Sequence, residues 1–137
     1  MLHQLVFSIR EEYDTRSGGI TIETVLRLGE ENVICQAKLD TGAQVCLFKR
    51  EHGEMLGIDI ESGHRLELDT IAGSLTAYGH SVTLHTLGLE FDSVVYFAAT
   101  DNLRRNLLGR EGWLRKVRLA IIDDDSAIYL SPYSQPV

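Results

Sequence analysis

The chain has 137 residues, of which 44% are hydrophobic, and this size and composition suit one globular domain with a single core. Its 13 Lys and Arg residues against 20 Asp and Glu residues give a formal net charge of -7 at pH 7. A surface of that sign repels phosphate backbones, so the composition argues against nucleic acid as a partner.

Membrane segments and disulfides are also disfavoured. No stretch approaches the roughly 18 consecutive apolar residues that a membrane helix needs, and the opening MLHQLVFSIREEYD lacks the basic region and long apolar run of a signal peptide. Cys35 and Cys46 lie in apolar, strand-like runs, which favour reduced and buried thiols. We therefore expect a cytoplasmic protein without a membrane partner, and a single domain over residues 1–137.

The first elements of the chain read as strands. Hydrophobic residues alternate between positions 5 and 9, but EEYDTRSGG after them is typical of a flexible loop, so residues 1–18 are a candidate N-terminal extension. Residues 20–28 and 33–39 each carry apolar side chains at every second position, with the turn sequence GEEN between them. This pattern predicts a β-hairpin.

The middle of the chain predicts a short helical turn and a second hairpin. The helical turn is KREHGEMLG, over residues 49–57, and a strand follows around residues 66–70. IAGS, over residues 71–74, separates that strand from a second extended arm, and Gly73 adopts a positive φ there at little steric cost. The apolar run FDSVVYFAA, over residues 91–99, predicts a further strand buried on both faces.

The last third of the chain predicts short elements. Residues 107–108 end a strand, a short helix covers residues 110–116, and a strand covers residues 117–122. The triple Asp at 123–125 makes a turn into a last strand over residues 126–130. With about eight strands and two short helices, the sequence indicates a mainly-β, barrel-like fold.

The stretch AKLDTGAQVCLF carries the strongest chemical signal, because Asp40, Thr41 and Gly42 interrupt an apolar strand. A carboxylate at a strand end, followed by a Gly that lets the backbone turn and approach a ligand, suits a catalytic loop. The hydroxyl of Thr41 can tie such a loop to a neighbour. Alone, the tripeptide is a weak signal, since composition predicts it by chance in a few per cent of chains of this length.

Three stretches in combination resemble the retropepsin-like aspartic proteases, the retroviral protease superfamily with its cellular and bacterial relatives. They are LDTGA, the hairpin LDTIAGSLTAYGHSVTL and NLLGREGWL, and they cover roughly residues 20–130 in the family's order. The resemblance implies a mainly-β, single-lobe, closed β-barrel-like fold with one or two short helices. It also implies an endopeptidase that acts as a homodimer on polypeptides, with apolar side chains near the scissile bond and no cofactor.

The need for a second copy also follows from the chemistry. Aspartic protease catalysis uses two carboxyl groups that share one proton, one acting as a base toward water and the other polarising the scissile carbonyl. The chain has one Asp-Thr-Gly, at Asp40; the Asp-Thr pairs at Asp14 and Asp69 do not place Gly two residues after Asp. The second carboxyl group must then come from Asp40 of another copy across a two-fold axis.

The resemblance implies a role for each matched residue. Asp40 would be the catalytic acid and base, Thr41 would brace the two loops across the dimer axis, and Gly42 would hydrogen-bond the substrate backbone. Substrate-binding positions are implied in the same loop and at the tip of the second hairpin, which would close over the peptide: Ala43, Gln44, Ile71, Ala72, Gly73 and Ser74.

Support for the loop is implied at Leu108, Gly109 and Arg110, with Arg110 helping to hold the loops at the dimer interface. Gln44 departs from the family pattern, since retroviral members usually carry an Asp directly after Asp-Thr-Gly-Ala. That Asp pairs with the Arg or with substrate. The departure bears on that ion pair and not on the pair of aspartates.

Other interpretations stay open. Asp40 would also suit a turn that caps backbone amides, Gly73 an ordinary hairpin, and Arg110 an exposed helix cation. A retropepsin-like dimer that binds peptides or serves assembly without proteolysis is the main alternative function, because a fold does not guarantee activity. A monomer in which Asp40 pairs with no second carboxyl group is a third.

The remaining reactive residues predict no further site. His80 and His85 have opposite strand parity, so no metal site is expected. Cys46 with His52 as its base lacks a loop signature, and the triple Asp lacks the Gly and distal Glu of a calcium loop. The basic residues between positions 104 and 118 are expected to pair with the abundant acids.

Overall fold

The structure is a computed structural model that describes residues 1–134, and it is mainly β. Within these residues it has ten strands: β1 (Ile9–Glu12), β2 (Thr21–Leu28), β3 (Glu31–Leu39), β4 (Leu47–Phe48), β5 (His64–Thr70), β6 (Gly73–Thr86), β7 (Leu89–Ala98), β8 (Asn106–Leu108), β9 (Val117–Ile122) and β10 (Ala127–Pro132). One α-helix, α1 (Arg50–Met55), follows β4. Short 3-10 turns occupy Thr15–Ser17, Ile60–Ser62, Leu114–Lys116 and Asp123–Asp125.

The larger sheet closes on itself. Its strand order is β2-β3-β8-β4-β7-β6-β5, and β2 also pairs with β6. The six strands from β2 to β6 in this order therefore form a ring, and β5 extends from β6 as the arm of a hairpin. Two contacts in the ring are parallel, β3 with β8 and β4 with β7. A smaller antiparallel sheet, β1-β10-β9, joins the two ends of the described chain.

Alternating side chains explain why these segments pair as they do. In β2 and β3, every second residue is buried, including Ile22 and Leu26 on one strand and Val33 and Ala37 on the other. The turn between the strands contains Gly29, whose φ of +60° suits a two-residue hairpin turn. The predicted first hairpin is therefore confirmed.

The core fills the space inside the ring. Phe48, Phe97 and Trp113 are fully buried there, and burial of side chains this large supplies much of the hydrophobic stabilisation. Trp113 keeps its polar atom satisfied, because the indole Nε1–H donates to Thr86 Oγ1 at 3.0 Å.

Most predicted elements are confirmed, including the helical turn at α1, the β5–β6 hairpin and the β9 and β10 strands. The prediction that residues 91–99 are buried on both faces is wrong for most of β7. Val94 is 50% exposed between buried neighbours Ser93 and Val95, so this strand alternates until Phe97 and Ala98.

The predicted helix over residues 110–116 is also wrong. Glu111 makes an isolated parallel bridge with Val45, Gly112 has a φ of +98°, and only Leu114–Lys116 makes a 3-10 turn. A residue with a positive φ cannot continue a right-handed helix. The turn is instead held by the Leu114 N–H, which donates to the Gly109 carbonyl at 3.0 Å.

The N-terminal residues hold more structure than the predicted flexible loop. Ile9–Glu12 pairs with Ala127–Leu130, and Asp14 caps the following 3-10 turn by accepting from the Arg16 N–H at 2.9 Å. Among residues 1–134, no helix combines the length and the hydropathy that crossing a membrane requires.

Candidate functional site

Asp40 lies directly after β3, at the start of a loop that leads to β4. The Gly42 N–H donates to Asp40 Oδ1 at 2.9 Å, and the Ala43 N–H donates to the Asp40 carbonyl at 3.2 Å. Asp40 therefore does form the amide-capping turn considered above. A carboxylate has about four acceptor positions, so this turn leaves most of the group free for other partners.

A second chain segment supports the Asp40 loop along its length. The Asp40 N–H donates to the Leu108 carbonyl at 3.0 Å, and the Arg110 N–H donates to the Ala43 carbonyl at 2.9 Å. The Glu111 N–H continues this ladder to the Gln44 carbonyl at 2.9 Å. The fold therefore brings together the LDTGA and NLLGREGWL stretches, which are far apart in sequence.

Gly109 makes this close approach sterically feasible. A Cβ atom at Gly109 would lie 2.2 Å from the Val45 carbonyl oxygen and 2.8 Å from that of Ala43. Both neighbours are backbone atoms that cannot rotate away, so any side chain would push the two segments apart.

The side chains around Asp40 face solvent in a single copy. Asp40 is half-buried, whereas Thr41, Gln44 and Arg110 are exposed. Leu108, behind the loop, is fully buried.

The tip of the β5–β6 hairpin is the other predicted part of the site. Thr70 pairs with Gly73, so Ile71 and Ala72 form a two-residue turn, and Gly73 has a φ of +120°. The Thr70 hydroxyl donates to the Gly73 carbonyl at 2.6 Å and closes the turn. The whole tip, including Ser74, is exposed, as a mobile lid requires but as many ordinary hairpins also are.

Asn106 is a residue that the sequence analysis missed. Its buried side chain donates from Nδ2 to the Gln36 carbonyl at 2.9 Å and accepts at Oδ1 from the Lys49 N–H at 2.9 Å. It also lies 3.2 Å from His52 Nε2. One amide thus joins β3, β8 and the start of α1 behind the Asp40 loop.

The two thiols are free and buried, as the sequence predicts. Burial raises the pKa of Cys35 to about 11 and that of Cys46 to about 12. Thiols held this far from ionisation are poor nucleophiles. Within residues 1–134, no group of three or more His, Cys, Asp or Glu side chains is arranged to hold a metal ion.

The basic residues after β7 do not all pair with acids as expected. Arg115 lies 3.9 Å from Glu111, but Arg104 and Arg105 make no ion pair with any residue in the described part of the chain.

Comparison with known proteins gives a fold but no sequence family. No protein-family model matches the chain, and no curated protein matches it. Among solved structures, a retropepsin-like aspartic protease from Rickettsia conorii aligns with a TM-score of 0.66 and 20% identity, over 90% of this chain and 97% of that one. EIAV protease, complexed with the inhibitor HBY-793, aligns with a TM-score of 0.54 and 17% identity, over 71% of this chain and 86% of that one.

These likenesses agree with the motif resemblance. The chain has a retropepsin-like fold, and the mainly-β prediction is confirmed.

Proposed function

We propose that this retropepsin-like chain is an aspartic endopeptidase that works as a homodimer, with one Asp40 carboxyl group from each copy. The observation that carries the proposal is the Asp40 loop, which follows β3 and is fixed by backbone hydrogen bonds to the segment from Leu108 to Glu111. Both structural neighbours described above are named as proteases. Because the chain has one Asp-Thr-Gly, a second copy must complete the site.

The proposed reaction is hydrolysis of a peptide bond by a water held between the two Asp40 side chains. Two carboxyl groups so close cannot both ionise, so they share one proton. The ionised Asp40 takes a proton from the water while the water oxygen attacks the scissile carbonyl carbon. At the same time the protonated Asp40 gives its proton to the carbonyl oxygen. The tetrahedral intermediate then collapses: the C–N bond breaks, the protonated Asp40 gives its proton to the leaving nitrogen, and the ionised Asp40 takes a proton from one hydroxyl of the intermediate, which restores the single shared proton.

The surrounding residues would position the loops and the peptide. We assign Thr41 and Arg110 to contacts across the dimer axis, because both are exposed beside the half-buried Asp40. Leu108 and Gly109 would hold the loop from behind. The proposed peptide contacts lie in the loop and at the hairpin tip: Gly42, Ala43, Gln44, Ile71, Ala72, Gly73 and Ser74.

The first test is Asp40→Asn, with Asp124→Asn as its control because Asp124 is an exposed turn residue. Asp40→Asn should abolish cleavage of a peptide library, because neither copy then supplies a carboxyl group to activate water or to protonate the carbonyl, while the variant still dimerises in sedimentation. Asp124→Asn should match the unmodified protein in both measurements. Undiminished cleavage by Asp40→Asn would contradict the proposal, and peptide binding without cleavage by the unmodified protein would point to the peptide-binding alternative.

A further inference from the structure

A cleft of about 290 Å³ is lined in part by the end of β3, the strand that leads to Asp40, and half of its lining residues are basic. Lys38, Lys49, Arg104 and Arg105 contribute the charge, and the other lining residues, such as Gln36 and Thr21, are neutral and polar. No Asp or Glu among residues 1–134 lines it. Four cationic side chains therefore line one cleft of a chain whose net charge is -7.

The cleft is built from the same segments that hold the Asp40 loop. Lys38 is two residues before Asp40 on β3, a distance of about 7 Å along a strand. Arg104 and Arg105 lead into β8, whose Leu108 carbonyl accepts from the Asp40 N–H. The backbone N–H of Lys49 donates to Oδ1 of Asn106, the first residue of β8.

The four cations have no carboxylate partner within the described chain, whereas Arg27 and Arg50 elsewhere pair with Glu90 and Glu61. Like charges held together repel one another, and this cost is recovered when an anion binds among them.

Lys38 lines the cleft and also packs against Gly19. Its side chain runs against the backbone of Gly19, where an added Cβ would approach Lys38 Cε to 2.7 Å. Lys38 and Lys49 are half-buried, which reduces the screening of their charge by solvent. The two arginines are exposed and complete the rim.

We propose that this cleft binds an Asp or Glu side chain of the substrate, one or two residues from the scissile bond. The inference rests on the proposed function. It replaces the expected apolar side chain by an acidic one at a single position near that bond. Lys38 and Asp40 are two residues apart along one extended segment, which is about 7 Å and matches two residues of an extended peptide. Arg and Lys side chains at such a site would favour Glu over Gln, because the two side chains have nearly the same shape and only Glu carries a negative charge.

The test compares peptides that differ only by Glu against Gln at the positions flanking the scissile bond. The unmodified protein should cleave one Glu peptide with a kcat/KM at least about threefold above its Gln counterpart, as partly exposed ion pairs predict. The double variant Arg104→Gln, Arg105→Gln should lose that preference. The control double variant Arg10→Gln, Arg27→Gln removes the same charge from exposed sites and should keep it. An equal rate for Glu and Gln peptides at every position would overturn the inference and leave the protease proposal standing.

A binding measurement separates the cleft from the catalysis. Fluorescence anisotropy of the same peptides on the Asp40→Asn protein should show tighter binding of the Glu peptide, with the difference shrinking as salt rises. Acid-selective binding without any cleavage by the unmodified protein would support the cleft and overturn the protease proposal. Inorganic phosphate is the third probe: if it binds through Arg104 and Arg105 while peptides show no acid preference, the site holds a free anion and the inference is wrong. Lys38→Gln replaces the double variant if that protein unfolds at a lower temperature than its control.

Discussion

At the scale of single residues, the amide of Asn106 selects the tautomer of neutral His52. Its Nδ2 group has two hydrogens, of which one goes to the Gln36 carbonyl and the other points to His52 Nε2. His52 Nε2 must then accept, so the ring proton lies on Nδ1, which is buried without a hydrogen-bond partner among the described residues. A proton added at Nε2 would face another donor.

A pH prediction follows for His52. Burial, with a smaller contribution from nearby Lys49, lowers the pKa of His52 below its usual 6.5, although Glu51 opposes the shift. The unfolded chain therefore binds this proton more readily than the folded chain, and the free energy of unfolding falls as the pH drops below about 6.5. His52→Gln should remove this part of the pH dependence, as measured by urea unfolding from pH 7.5 to pH 5.

The control for that experiment is His85→Gln, because His85 is exposed on β6. Its unfolding free energy should follow that of the unmodified protein across the pH series. If His52→Gln and the unmodified protein give parallel curves, His52 is not the group that titrates.

The sequence predicted the residues whose pattern is local and missed those whose role is long-range. Asp40, Thr41 and Gly42 are adjacent, so their motif can be recognised in the sequence. Asn106 looks like a loop residue in TDNLRRN, and its partners Gln36, Lys49 and His52 lie 70, 57 and 54 residues away. The roles of Asp40 and its neighbours in catalysis stay predictions.

At the scale of elements, Gly109 decides how closely the Asp40 loop and β8 approach. Gly109→Ala would place a Cβ 2.2 Å from the Val45 carbonyl oxygen, so backbone must move. Overpacking of this kind costs about 1–3 kcal/mol, and it should also separate the amides of Arg110 and Glu111 from their acceptors. Thermal unfolding should show a clear loss of stability, and any cleavage activity should fall.

Gly42→Ala is the matched control for stability. Its Cβ would lie 3.3 Å from Asp40 Oδ1, a side-chain atom that can shift by a few tenths of an ångström. It should therefore unfold closer to the unmodified protein than Gly109→Ala does. Equal stability of Gly109→Ala and the unmodified protein would show that the loop and β8 are less tightly packed than the structure indicates.

Two elements could not be read correctly from local sequence. The segment from Arg110 to Lys116 has the composition of a helix, but Gly112 adopts a φ of +98° because the chain must turn back toward β9. β1 spans four residues with the exposed pattern IREE, and it exists because β10 offers it an edge from the far end of the chain. Both outcomes are set by tertiary contacts that outweigh propensity.

At the scale of the whole molecule, the closed sheet explains how the Asp40 loop is held at both ends. The parallel β3–β8 and β4–β7 contacts place the Asp40 loop between strands that are themselves paired on both sides. Strand positions were predictable from hydrophobic alternation, but parallel pairing depends on contacts between distant segments and left no local signal.

We retain the proposal that residues 1–137 form a single domain.

A shared dyad makes a quantitative prediction about mixed dimers. If each active site needs Asp40 from both copies, a dimer of one unmodified and one Asp40→Asn chain is inactive. After subunit exchange with a ninefold excess of Asp40→Asn, random pairing should leave about one tenth of the original activity. Activity that is unchanged by excess Asp40→Asn under exchanging conditions would mean that one chain is sufficient, and the shared-dyad mechanism would then be wrong.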